Sequence, residues 1–108
     1  MAEKPRAPHR VFTLLVEVGR AEGDDLPKKA TGAAMVCYAS GVDEDEAVRE
    51  TVAVLRQAGL SPVEVTGWGT REEREAAGEE IGAGDIALMD RALAENAVIV
   101  AQVDPFFD

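Results

Sequence analysis

The best-specified element of this chain lies in residues 41–62, GVDEDEAVRETVAVLRQAGLSP, which predict one amphipathic helix with a defined start and end. Asp43 is a suitable N-cap, and Glu46 three residues later has the spacing of a capping box. The acidic residues at this end also complement the positive pole of the helix dipole. Gly59 favours the left-handed conformation that ends a helix, and Pro62 prevents its continuation. We therefore expect a helix that packs its apolar face against a sheet.

Two strand patterns precede this helix. Residues Val11 to Val18 have alternating positions and one strongly apolar face, which predicts a strand, and Ala33 to Ser40 predict a second. The segment between them, Gly19 to Gly32, is rich in Gly, Asp, Lys and Pro, which indicates a long mobile loop. Because no helix intervenes, we expect the two strands to pair as an antiparallel hairpin.

Three further patterns follow the helix. Val63 to Trp68 predict a third strand, and Thr70 to Gly84 predict a charged surface excursion. Within it, Arg71 to Ala77 could form a short helical turn but lack an apolar stripe. Asp85 to Glu95 predict a second amphipathic helix, which Asn96 can terminate. The last strand, Ala97 to Val103, is apolar on both faces, which is typical of a central or doubly covered strand.

The element order is thus ββαβαβ, which favours an α+β two-layer sandwich with a four-stranded sheet and two helices on one face. Right-handed crossovers would make the third strand parallel to the second and the fourth parallel to the third. This order resembles a variant of the ferredoxin-like fold, although a loop stands where the regular ferredoxin-like order has its first helix.

Length and composition limit the class of protein. The chain of 108 residues fits a single α+β domain over residues 10–108, preceded by a flexible N-terminal arm over residues 1–9. The net charge of −10 disfavours nucleic-acid binding, and no apolar run approaches the roughly 20 residues that span a membrane. A single cysteine, Cys37, excludes an intramolecular disulfide and favours a cytoplasmic location.

The residue types that carry common chemistry are few and scattered. The single histidine, His9, lies in the N-terminal arm, and Cys37 has no basic sequence neighbour that would activate it. The four acidic residues from Asp43 to Glu46 point around a helix rather than converging on a metal. We therefore expect no catalytic residues, no metal and no cofactor, and a domain without chemistry of its own.

The most site-like segment is TGWGT, residues 66–70, in which two glycines flank the single tryptophan at a strand end. Candidate ligand- or partner-binding residues are Gly67, Trp68, Gly69 and Thr70, together with the C-terminal pair Phe106 and Phe107. A structural interpretation, in which the glycines form a turn and Trp68 covers the sheet, stays open. The corresponding alternative function is a small-molecule binding domain with a pocket near Trp68, covered by the 67–84 loop.

The sheet face opposite the helices is the second candidate surface. If both helices cover one face, the other carries enough apolar side chains to need cover. We therefore predict a homodimer packed sheet on sheet, or another protein partner there; the predicted dimer face comprises Thr13, Leu15, Glu17, Glu64, Thr66, Val98 and Val100. The main functional expectation is a small acidic, soluble, non-catalytic protein-interaction or structural module that acts as a homodimer.

The C-terminal tail offers one short resemblance. Residues 102–106, QVDPF, are similar to the Gln-aliphatic-Asp-apolar-Phe peptides through which bacterial proteins bind the replication sliding clamp, with Pro105 in place of the usual Leu or Met. The resemblance covers five residues and requires them to be free of the last strand. The alternative is that Phe106 and Phe107 pack against the body or a second subunit.

Overall fold

A computed structural model describes residues 8–107 of the chain. The predicted flexible arm falls mostly outside this range, because residues 1–7 are not among the described residues. The described part is a small, compact α+β domain with a four-stranded antiparallel sheet and three helices. Its elements are β1 (Arg10–Gly19), β2 (Gly32–Gly41), α1 (Glu44–Gln57), β3 (Ser61–Thr70), α2 (Arg71–Ala76), α3 (Ala83–Glu95) and β4 (Val98–Phe106).

The sheet is built around the hairpin that the sequence predicts. Its strand order is β3-β1-β2-β4, and every neighbouring pair is antiparallel. The ferredoxin-like order is not found, and a third helix, α2, forms in the predicted surface excursion, at the place where the sequence allows a short helical turn. β3 runs in the same direction as β2 without being its neighbour, whereas β4 runs opposite to β3. The expected parallel alignment of the last two strands is therefore wrong.

The α1 helix begins and ends where its sequence predicts. The Asp43 side chain accepts a hydrogen bond from the Glu46 backbone N–H at 2.8 Å, while the Glu46 carboxylate accepts one from the Val42 N–H at 3.3 Å. In a regular capping box the second hydrogen bond comes from the N–H of the N-cap residue, whereas here it comes from Val42, the residue before the cap. Gly59 has φ +84°, and the Leu60 N–H returns to the Leu55 carbonyl at 2.9 Å, which closes the helix end.

The helices pack on opposite faces of the sheet. On one face, here called the α1 face, Leu14, Val16 and Cys37 form a core with Leu55 of α1. On the other, here called the α3 face, Val11 and Tyr38 pack with Met89 and Ala92 of α3. The predicted two-layer arrangement with both helices on one face is therefore wrong, and the domain has three layers. The alternation of side chains along β1 explains the result. The even-numbered residues of β1 face α1, and the odd-numbered Val11 is apolar and contributes to a second, smaller core under α3.

The loop between β1 and β2 is held by one buried carboxylate rather than left free. Asp24 accepts hydrogen bonds from the Ala21 N–H at 2.8 Å and the Leu26 N–H at 3.0 Å, and it pairs with the Arg20 guanidinium at 3.0 Å. Arg20 also donates to the Ala30 carbonyl at 2.8 Å. These bonds satisfy the loop's backbone and tie both ends of it together, so the loop that the sequence predicts as mobile is organised.

The two edge strands differ in regularity. β3 carries two register irregularities against β1 and contains Pro62, Gly67 and Gly69. β4 has one irregularity against β2, at Ala101. The sequence predicts β4 as a central or doubly covered strand. The structure places it at the edge, while its first half contacts both cores, through Val98 on the α1 face and through Ile99 and Ala101 on the α3 face.

Candidate functional site

The glycines around Trp68 flank a β-bulge in β3. Thr13 pairs with Gly69 and Leu14 with Gly67, so Trp68 is the extra residue of a β-bulge, and its side chain is 46% exposed. Gly67 lies against the Glu44 carboxylate, so closely that a Cβ would collide with it. Gly69 has φ +93°, which glycine adopts without strain. Gly69 therefore has a conformational reason to be glycine, whereas the contact at Gly67 is with the end of an exposed glutamate side chain that can move.

Thr70 is the N-cap residue of α2 and also lines a small cleft. Its hydroxyl accepts a hydrogen bond from the Glu73 N–H at 3.1 Å, and the Glu73 carboxylate accepts one from the Thr70 N–H at 3.0 Å, which forms a complete capping box. The hydrogen bond from the Thr70 backbone lowers the pKa of Glu73. A small cleft of about 290 Å³ adjoins this cap, but Trp68 is not among the residues that line it.

Phe106 and Phe107 lie far from Trp68, so they cannot cover a pocket there. Gly69 is paired with Thr13, whereas Phe106 is paired with Gly32, which is opposite Gly19. At about 3.4 Å per residue and 4.8 Å per strand, this separation is about 20 Å along the strands and about 14 Å across them. The candidate residues around Trp68 and the C-terminal pair therefore do not share one site.

The predicted dimer face is divided between the two faces of the sheet. Thr13, Leu15, Glu17, Glu64 and Thr66 lie on the α3 face, as cross-strand pairing requires. Val98 and Val100 instead pair with Ala39 and Cys37, which belong to the core under α1. These seven residues therefore cannot form one surface. The sequence did not fix which side of β4 faces which helix, because that strand is apolar on both sides.

Thr13 is also covered by α2 rather than open. It is fully buried, and its hydroxyl accepts a hydrogen bond from Arg74 Nη1 at 2.9 Å. Arg74 also pairs with Glu79 at 3.2 Å. Nearby on the same face, the Tyr38 hydroxyl donates a hydrogen bond to Asp85 of α3 at 2.8 Å. The pKa of Tyr38 is raised, mainly because the residue is buried and also because of this hydrogen bond. Sequence reasoning missed this network, because its partners are 47 and 61 residues apart.

The half of the α3 face that the helices leave open is acidic. Glu64, Glu17, Ala34 and Asp104 form one row of directly paired residues across all four strands. The three carboxylate residues are exposed. Two copies packed on this face would bring like charges together, so a sheet-on-sheet homodimer is electrostatically unfavourable here.

A cleft of about 710 Å³ lies between α1 and the start of β4. Val54 and Val98 supply apolar walls, and Glu46 and Glu50 of α1 supply carboxylates. His9 also lines it, with Nε2 3.6 Å from Glu46 Oε1. This α1–β4 cleft can hold a small molecule or an inserted side chain.

Exposed apolar side chains follow β4 from near that cleft to its C-terminal end. Val100 and Val103 are 40% and 43% exposed, and Phe106 and Phe107 are 40% and 61% exposed. We call these four residues the β4 strip. Within the described residues, β4 pairs only with β2, so the backbone groups on its other side face outward. An unpaired edge that is also apolar is a surface on which another strand can pair.

The Cys37 thiol belongs to the core rather than to a surface site. Cys37 is fully buried, and burial raises the pKa of its thiol to about 11. Over residues 8–107, no cluster of three or more histidine, cysteine, aspartate or glutamate side chains could hold a metal ion. Nor is any helix in that range long and apolar enough to cross a membrane.

These observations define a small α+β domain with a four-stranded antiparallel sheet, helices on both faces and one open apolar edge. A family model described as a domain of unknown function, DUF8846, matches residues 11–107, and the chain belongs to that family. No curated protein and no solved structure matches the chain.

The tail peptide that resembles sliding-clamp ligands is part of the sheet. Gln102 and Val103 lie inside β4, where they pair with Val36 and Met35 of β2. The Gln102 amide donates to Asp104 at 2.6 Å. Clamp binding through residues 102–106 would require the end of β4 to detach.

Proposed function

We propose that this domain is a non-catalytic protein-interaction module that acts as a homodimer, and that the free edge of β4 with its strip is the surface through which copies associate. The observation that carries the proposal is the apolar strip on an unpaired edge in an otherwise strongly acidic chain. The nine residues of β4 include one charged side chain, Asp104, so few like charges of two copies would meet along this edge. A free, buried thiol supports a cytoplasmic location for the module.

The β3 edge supports association less well. Its hydrogen-bonding pattern is interrupted by two bulges, and Glu64 would meet other carboxylates there. Its exposed valine, Val63, therefore provides a matched control for Val103, because each is a valine on an edge strand with a large exposed fraction.

Sedimentation equilibrium tests the proposal. The full chain should be a dimer at tens of micromolar, V103K should be a monomer, and V63K, with the same change in charge, should remain a dimer. A monomer for the unmodified chain would refute the homodimer, and equal effects of the two substitutions would remove β4 as its surface.

A second candidate function is binding of a small molecule in the α1–β4 cleft rather than around Trp68. The specific observation is the cleft's volume of about 710 Å³ with apolar and carboxylate walls, which is within the usual range of ligand pockets. Trp68 does not line this cleft, so the fluorescence of Trp68 is not a suitable measure of ligand binding there. Amide chemical shifts of Glu50, Val54 and Val98 on addition of a metabolite panel test it, and unchanged shifts would remove the candidate.

A further inference from the structure

The free edge of β4 has a pattern that a second copy of the same strand can complete, and this pattern follows from two hydrogen bonds. The Thr31 N–H donates to the Phe106 carbonyl at 2.8 Å, and the Ser40 N–H donates to the Ala97 carbonyl at 3.2 Å. These two carbonyls therefore face β2. Because backbone groups alternate sides along an antiparallel strand, the groups of Val98, Val100, Val103 and Pro105 face outward. The bulge at Ala101 changes this alternation from even to odd positions.

The side chains of the same four residues share one face. Val98 pairs with Ala39, Val100 with Cys37, Val103 with Met35 and Pro105 with Ala33, and all four β2 partners belong to the core under α1. The outward-facing backbone positions thus carry only apolar side chains, all on the α1 face.

We infer that two copies pair β4 against β4 in an antiparallel arrangement with Val100 of each copy opposite Val103 of the other. This inference rests on the proposed homodimer and specifies its geometry. In this register, outward-facing residues meet outward-facing residues, and paired side chains share a face, as antiparallel pairing requires. Each Val100–Val103 pair exchanges both of its possible hydrogen bonds. Val98 meets Pro105, which accepts one bond and has no N–H to leave unsatisfied.

The register also satisfies packing and charge. The four valines at positions 100 and 103 of the two copies form one apolar cluster around the two-fold axis, beside both α1 helices. Asp104 lies opposite Ile99 of the other copy, so the two carboxylates do not face each other. A pairing shifted by one residue would place outward-facing groups against inward-facing ones, and the symmetry of a two-fold interface would repeat the error.

The end of each strand also meets the start of the other copy's strand. Continuing the register places Phe106 of one copy opposite Ala97 of the other. Phe106 pairs with Gly32, so its ring lies on the α3 face rather than on the α1 face. Since Phe106 is 40% exposed in the single chain, this position gives the ring a partner surface.

Disulfide cross-linking tests the register. An equal mixture of V100C and V103C chains should form a covalent dimer on mild oxidation, because residues opposite each other in a strand pair lie within the Cα separation that a disulfide spans. V100C alone should cross-link far less, since the two positions 100 lie about three residues apart along the strands. The native Cys37 should not react, because it is fully buried and its thiol pKa is raised to about 11.

The controls separate this inference from the proposal beneath it. A sample that sediments as a monomer at every concentration would overturn the homodimer and the register together. A dimer in which V100C alone cross-links as well as the mixture would overturn the register and leave the homodimer standing. In mixed-label samples, an intermolecular NOE from the Phe106 ring to the Ala97 methyl supports the register, and its absence in an otherwise cross-linking dimer would contradict the contact between the strand ends.

Discussion

Replacing Thr13 by valine gives opposite results depending on which helices cover which face. On an open sheet face, Thr→Val adds a favourable β-former and leaves stability unchanged or raised. Beneath α2, the same change removes the acceptor of the 2.9 Å hydrogen bond from Arg74 at a fully buried position. A hydrogen bond to a charged group contributes about 1.5–3 kcal/mol. Because Arg74 keeps its partner Glu79, we expect T13V to lower the free energy of unfolding by about 1–2 kcal/mol.

Urea unfolding followed by far-UV circular dichroism measures this loss, at one fixed protein concentration because association shifts apparent stability. Each kcal/mol corresponds to a fall in Tm of about 4–8 °C for a domain of this size. T66V is the matched control, since Thr66 lies on the same face but is exposed, and its effect should stay within about 0.5 kcal/mol. A double-mutant cycle with R74M should return a coupling of about 1 kcal/mol. A T13V protein as stable as the unmodified chain, with no coupling, would refute the placement of α2 over Thr13.

Three further substitutions test the packing and the loop. The hydrogen bond from the Ala21 backbone, together with the other bonds that Asp24 accepts, lowers the pKa of Asp24. The stabilisation that the Asp24 carboxylate gives the fold is therefore present above the unfolded pKa of about 3.9 and is lost as the pH falls through the lower folded pKa. D24N should remove that pH dependence of the free energy of unfolding in urea titrations, while D25N should retain it. L55A should lower the free energy of unfolding by about 2–5 kcal/mol, because Leu55 is a fully buried core residue of α1, and a loss below about 1 kcal/mol in chemical denaturation would contradict that placement. G59A should cost more than G78A in thermal melts, since both glycines have positive φ but only at Gly59 would a Cβ meet backbone, 2.8 Å from a carbonyl oxygen of the β1–β2 loop; equal losses would contradict that close approach.

Local signals made the individual elements predictable. The Asp43 cap and the Gly59 stop define α1 within its own residues, and the absence of a helix between the first two strands correctly predicts their hairpin. Asn96 ends α3 in the left-handed conformation, as its sequence position suggested. Each of these features depends on contacts within a few residues, which a sequence displays directly.

The arrangement of those elements depended on contacts that the sequence does not display. β4 is apolar on both sides, so its pattern fits a central strand as well as an edge strand with an exposed apolar strip. The coverage of Thr13 depends on Arg74, which lies in a charged segment without an apolar stripe. The Gly67–Thr70 segment stands out in the sequence, and in the structure it contains a β-bulge at Trp68 and the capping box of Thr70.

Amide hydrogen exchange at the outer edge of β4 examines the proposed interface residue by residue. The N–H groups of Val98, Val100 and Val103 face outward in the single chain, so in a monomer they exchange as open amides do. If copies associate through β4, these three amides should be protected at high protein concentration and should lose that protection on dilution, while core amides such as that of Leu14 change little. Rapid exchange of all three at every concentration at which the protein sediments as a dimer would contradict β4 as the interface.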